Sequence, residues 1–75
     1  MGAEHSDEPE VRTIAAVNHR RWPSCRDNRI QVIPRGETVE VIRSGRFRND
    51  AGTEELWHLG HYGEHEGWVH GDYLT

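Results

Sequence analysis

Apolar residues recur at every second position in short runs along this chain, and no segment keeps the period of an amphipathic helix. The clearest run is residues 37–42, in which Val39 and Val41 point to one face and the residues between them point to the other. Gly, Pro and Asn separate the runs, as they do in turns. Because short strands bury an apolar face only by pairing, the pattern predicts an all-β fold: a small antiparallel β-barrel of five to six strands.

The chain has 75 residues, which is enough for one domain and too few for a core that also encloses a deep catalytic cavity. Its one cysteine, Cys25, cannot form an internal disulfide, so no covalent link compensates for the small core. We therefore expect any working surface to be a shallow groove or a set of loops.

Charge is distributed unevenly. The first ten residues carry four carboxylates and no Arg, whereas nine Arg and nine Asp or Glu follow from residue 11 onward. Residues 1–10 also lack aromatic and branched aliphatic side chains, and we predict that they form a disordered acidic tail before a neutral domain at 11–75. A neutral domain lacks the basic surface that a nucleic-acid-binding protein needs.

The sequence also bears on location. No run approaches the roughly 18 apolar residues of a membrane helix, and the N-terminus has neither the basic start nor the apolar run of a signal peptide. If Met1 is the natural start, we expect a cytoplasmic protein that does not contact a membrane. If the chain is a fragment of a longer protein, the cell envelope or secretion becomes the expectation.

The remaining segments predict the other elements of the barrel. Residues 18–29 are polar and predict a long loop. Residues 43–55 predict a second long loop or excursion from the barrel, which can form a two-stranded ribbon with its turn at 49–52. Residues 56–62 and 67–70 predict strands, and a tight turn at 71–72 follows. The predicted core consists of the inward-facing aliphatic residues Ile30, Ile33, Val39, Val41, Val69 and Leu74.

Four motifs in this order resemble those of bacterial SH3 domains, and the resemblance runs from Val11 to Leu74. They are Asn18-His19-Arg20 with Pro23-Ser24, the spacing of Ile30, Ile33 and Gly36, the strand at 37–41, and Gly67-Trp68-Val69-His70 with Tyr73-Leu74. The resemblance implies a binding module rather than an enzyme, with a peptide or protein ligand lying across aromatic side chains. Because related domains are often appended to cell-wall hydrolases, it also implies peptidoglycan stem peptides as an alternative ligand.

Three features depart from the family pattern. His19 stands where the family usually has an apolar core residue, so this histidine is expected to be half-buried or turned outward. Gly60 stands where an apolar side chain usually packs. The segment between Val41 and Trp57 is longer than family members usually need, and long loops often carry specificity.

The aromatic residues supply the predicted ligand site. The resemblance implies that Trp57 and Tyr73 form the floor of a shallow groove, with Trp57 facing outward and Trp68 at one edge. We place Trp22 at the other edge of the groove because it lies in the first long loop. The second long loop would border the groove and offer guanidinium groups to an acidic partner, namely Arg43, Arg46 and Arg48.

The sequence also bears on two other classes of function, metal binding and catalysis. A metal-binding module is suggested by crowded imidazole and carboxylate groups, namely His58, His61, His65 and His70 beside Glu64 and Glu66. However, His58 and His61 lie three apart on a strand and so face opposite ways, which favours solvated histidines and no metal. No phosphate loop, nucleophile elbow or supported Cys–His pair is present, so we expect no enzyme activity, no cofactor and a monomeric protein.

Overall fold

The computed structural model of the chain describes residues 10–25 and 27–75, and this part of the chain is almost entirely β-structure. Its elements are β1 (Glu10–Arg12), β2 (Val17–Arg20), β3 (Arg29–Ile33), β4 (Thr38–Arg48), β5 (Glu54–Tyr62), β6 (His65–His70) and a 3₁₀ turn, η1 (Gly71–Tyr73). The predicted fold class is confirmed: the six antiparallel strands curl into a half-barrel that is consistent with a small SH3-like fold.

The strands form one sheet in the order β1-β4-β5-β6-β2-β3. The end of β1 and the segment after it pair with the segment after η1 through a bridge between Thr13 and Leu74 and two hydrogen bonds of 3.0 Å between the backbones of Arg12 and Thr75, and the Thr13 amide donates to the Glu37 carbonyl at 2.9 Å. Residues 1–9 of the predicted tail lie outside the described residues. Glu10, which was assigned to the tail, is the first residue of β1.

The long β4–β5 hairpin confirms the ribbon that was predicted for the second excursion. Its tip is held by Asn49, whose Oδ1 accepts from the amides of Ala51 and Thr53 at 2.9 Å each, while Gly52 takes a φ of 84°. On the other side of β4, β1 pairs only with Thr38 to Glu40. The edge of β4 from Val41 to Arg48 is therefore not covered by any strand of the described chain.

The core follows the predicted alternation. Val39 and Val41 are buried whereas the neighbouring Ile42 is 40% exposed, and Val17, Ile33 and Val69 complete the buried aliphatic set. Ile30 and Leu74 are only half-buried. The first loop is shorter than predicted, because residues 18–20 belong to β2, and residues 29–33, predicted as a bridging segment, form the edge strand β3.

His19 lies fully buried in this core, which corrects the expectation that it is half-buried or turned outward. Its Nε2 donates to the Gly60 carbonyl at 3.0 Å, and its Nδ1 accepts from the Gln31 amide at 3.1 Å, so the ring is held neutral with the proton on Nε2. Gly60 and Gly67 face each other across β5 and β6. A Cβ at Gly67 would come within 3.1 Å of the ring, so this glycine makes room for the imidazole.

The buried imidazole predicts a specific dependence of stability on pH. Desolvation lowers the pKa of His19 below its ordinary value of 6.5. The unfolded chain therefore binds a proton before the folded chain does, and the free energy of unfolding should fall as pH drops from 6.5 toward the lowered pKa, by at most about 1.4 kcal/mol per pH unit for one group. Urea denaturation at a series of pH values measures this slope.

His19→Gln should reduce that slope, because the amide still donates to the Gly60 carbonyl but does not titrate. His58→Gln should also reduce the slope, since burial lowers the pKa of His58 in the same direction, and the two variants together separate the two contributions. An unchanged slope in His19→Gln would mean that the folded protein and the unfolded chain take up the second ring proton of His19 over the same range of pH.

The described residues contain no helix long and apolar enough to cross a membrane.

Candidate functional site

Two open cavities lie on either side of Cys25, one between the first long loop and the tip of the β4–β5 hairpin and the other between β2, β5, β6 and η1. The first has a volume of about 280 Å³ and is lined by Pro23, Ser24, Cys25, Arg48, Asn49, Asp50, Ala51 and Glu55. The second has a volume of about 160 Å³ and is lined by Ala16, Val17, Asn18, Arg20, Cys25, Trp57, His70 and Tyr73. Because Cys25 lines both cavities, and Glu55 of the first lies 3.3 Å from His70 of the second, we treat them as one groove.

One wall of the groove is the loop between β2 and β3, and Asn28 holds that loop in place. Asn28 is buried, its Oδ1 accepts from Arg20 Nη1 at 3.0 Å, and its Nδ2 donates to the Trp22 carbonyl at 3.1 Å. A buried amide with both ends paired fixes the loop against β2. The loop therefore presents Pro23 and Cys25 to the groove from a defined position.

The opposite wall is organised around the Glu55 carboxylate. Hydrogen bonds from the Asn49 side chain, then from His70 and from the Trp57 indole, lower the pKa of Glu55 below its ordinary value. These donors stabilise the ionised form. Glu55 thus joins the hairpin tip to β6 and stays charged at neutral pH.

Three rings line up along the floor and rim of the second cavity. The Trp57 and His70 ring centroids are 4.9 Å apart, those of His70 and Tyr73 are 5.8 Å apart, and both pairs meet edge to face. Tyr73 is 43% exposed and forms the rim. Edge-to-face contacts of this kind fix ring orientation, so the rim is a preformed surface.

The predicted outward orientation of Trp57 is wrong, since its side chain is only 1% exposed. Trp57 stands on β5 opposite Gly45 of β4 and opposite His70 of β6. The Phe47 ring lies over Gly45, and the His70 ring packs edge to face on the indole from the β6 side. Trp57 therefore lines the groove as a buried floor, with little surface for a ligand to contact.

The other predicted site residues separate into distinct places. Trp68 lies outside both cavities, where Phe47 packs on it at 5.2 Å and the Arg43 guanidinium stands 5.9 Å from its ring centroid. Trp22 is 56% exposed and lines neither cavity. Of the three predicted arginines only Arg48 lines the groove, whereas Arg43 stands over Trp68 and Arg46 lines neither cavity.

The histidines do not gather around a common point. Across 10–25 and 27–75, no group of three or more His, Cys, Asp or Glu side chains could hold a metal ion. His58 instead lies 2.6 Å from the Ser44 hydroxyl, and burial lowers its pKa. Neither residue of this Ser–His pair lines the groove.

Most residues that line the groove were not predicted as site residues, among them Cys25, Asn49 and Glu55, and neither was Asn28, which holds one wall in place. Asn28 and Asn49 were assigned to loops with no further role, and Glu55 was given only as the last residue of the second long excursion. The one available signal was Asn49-Asp50-Ala51-Gly52, a turn sequence that an Asn side chain commonly stabilises.

No protein-family model, no curated protein and no solved structure matches the chain.

Proposed function

We propose that this chain is a non-enzymatic binding module of the SH3-like kind, which takes an extended peptide segment of a partner protein in the groove between the first loop and the β4–β5 hairpin tip. The observation that carries the proposal is the preformed groove itself, with the exposed Tyr73 ring at its rim.

The size of the cavities favours a peptide over a small molecule or cofactor. Volumes of about 280 and 160 Å³ lie below the usual range of roughly 300–1,000 Å³ for small-molecule sites. Each cavity is large enough for one or two side chains. A segment that crosses both would place neighbouring side chains in neighbouring cavities, as peptide-binding domains do.

The lining also suits a peptide. Apolar surface from Pro23, Ala51 and the Tyr73 ring alternates with charged groups of both signs, including Arg48 and Glu55. A groove that carries charges of both signs distinguishes peptides by where their charged side chains lie rather than by their net charge. The affinity should be micromolar at best, because the groove anchors few side chains.

The test is selection of peptides from a random display library, followed by titration of a selected peptide into ¹⁵N-labelled protein. The amide signals that shift should come from the residues that line the groove. Muropeptides form a second arm of the experiment, since the resemblance also implies a cell-wall ligand. Shifts confined to other surfaces, or none in either arm, would overturn the proposal.

Tyr73→Ala should weaken binding of a selected peptide by about tenfold or more, because an exposed aromatic at the rim is the side chain best placed to anchor it. Ile42→Ala is the matched control, since Ile42 is 40% exposed and lies outside both cavities. A bulky maleimide on Cys25, the single cysteine of the chain, should block both cavities. Equal binding by the Tyr73 and Ile42 variants would place the ligand elsewhere.

A further inference from the structure

The His70 imidazole uses its two nitrogens for different partners. Nδ1 accepts a hydrogen bond from the Asp72 backbone amide at 3.1 Å, and this bond caps the start of η1. Nε2 lies 3.3 Å from Glu55 Oε2 and donates to that carboxylate. The geometry requires the neutral tautomer that carries its proton on Nε2, because a protonated Nδ1 has no lone pair for the amide.

The charged and titratable groups around His70 come from each element packed against it. Glu55 lies on β5, Asp72 and Tyr73 lie on η1, and Arg20 and Cys25 complete the lining of the shared cavity. The Asp72 carboxylate stands 3.8 Å from Nδ1, which is farther than the amide of the same residue. His70 therefore has two carboxylates within reach and one amide that depends on its lone pair.

Protonation would exchange these partners. A proton on Nδ1 removes the acceptor of the Asp72 amide and places a donor opposite the Asp72 carboxylate instead. The amide at the start of η1 then loses its partner, so η1 must shift relative to β6. Since η1 carries Tyr73, whose ring packs on His70, the rim of the groove moves with it.

We propose that His70 makes the groove sensitive to protons: in its neutral form it holds Tyr73 at the rim, and its protonation releases that rim and weakens ligand binding. The inference about ligand rests on the proposed function, whereas the change of partners at His70 does not.

The change of partners is tested on the free protein by NMR between pH 8 and pH 5. At pH 8 the ring ¹⁵N signals of His70 should show the Nε2-protonated tautomer. On acidification the Asp72 amide, the Tyr73 ring and the Trp57 indole should shift with one common midpoint. His70→Gln should abolish that common transition, and His61→Gln, which alters an exposed histidine outside the groove, should preserve it.

Asp72→Asn sharpens the test, because it keeps the backbone amide and removes the carboxylate that a protonated His70 would gain. The midpoint should then move to lower pH. A transition that persists in His70→Gln, or an Asp72 amide that does not respond in the parent, would overturn the proposal.

The ligand arm uses a peptide selected at pH 7.5. Its affinity should fall at least about fivefold at pH 5.5, which is the low end of coupling between two sites, and should change less than about twofold in His70→Gln. Equal pH dependence in parent and variant would overturn the role of His70 in binding. If no peptide binds at all, the proposed function fails, and the NMR titration still decides what His70 does.

Discussion

Trp57→Ala should unfold most of the protein, or lower its free energy of unfolding by about 3–5 kcal/mol, as large aromatic truncations in cores do. The indole is 1% exposed, packs edge to face on His70, and hydrogen bonds to Glu55. Its loss therefore leaves a cavity and removes these side-chain contacts between β5 and β6. A domain of this size has only about 5–15 kcal/mol of stability in total. Urea denaturation followed by circular dichroism measures the change.

Trp22→Ala is the matched control, because the same side chain is removed from a position that is 56% exposed. Its effect should stay within about 0.5 kcal/mol, as is usual for surface substitutions. A Trp57→Ala protein as stable as the Trp22→Ala protein would show that Trp57 is accessible in solution, and would restore it as a direct ligand contact.

Gly67→Ala should cost about 3 kcal/mol, the upper end of the usual cost of overpacking. A Cβ at this position would stand 2.6 Å from the Arg20 carbonyl oxygen and 2.9 Å from Ile30 Cδ1. A backbone oxygen cannot rotate away as a side chain can, so β2 must separate from β6 and the packing around His19 is disturbed. Thermal unfolding at a pH above 7 measures the loss without a contribution from histidine protonation.

Gly45→Ala separates this effect from the general consequence of adding a methyl group to a strand. A Cβ at Gly45 would meet the Phe47 ring at 2.9 Å, but the ring is half-buried and can turn aside. Its cost should be below about 1 kcal/mol, since Ala is otherwise preferred to Gly in regular structure. Equal destabilisation by the two substitutions would mean that β2 and β6 are not held as closely as described.

Local patterns predicted most of the fold. The alternation of Val39 and Val41 with polar residues identified β4, and the turn residues near Asn49 identified the hairpin tip, because both signals lie within a few neighbouring residues. Strand order and the burial of His19 depend on partners far away in the sequence. The imidazole is accommodated by Gly60 and Gly67, more than forty residues later, and nothing in the sequence around His19 indicates them.

The site was harder to predict than the fold. Tyr73 and Arg48 were assigned to the groove and do line it, but Trp57 was placed outward on the family resemblance, and the His70 ring that packs on it belongs to another strand. Glu55 gained its role from three donors, on the hairpin tip, β5 and β6, which only the folded chain brings together. The residues next to Glu55 in the sequence do not indicate which distant side chains donate to it.

The uncovered edge of β4 has a consequence for how copies of this protein behave at high concentration. An exposed strand edge is a template on which another chain can add and begin aggregation. Here β1 shields only the first residues of the longest strand, and the remaining stretch bears three arginines, Arg43, Arg46 and Arg48, whose positive charges would oppose the approach of a second such edge. Two of these arginines lie outside the groove. We expect these two arginines to hinder association of the protein through this edge.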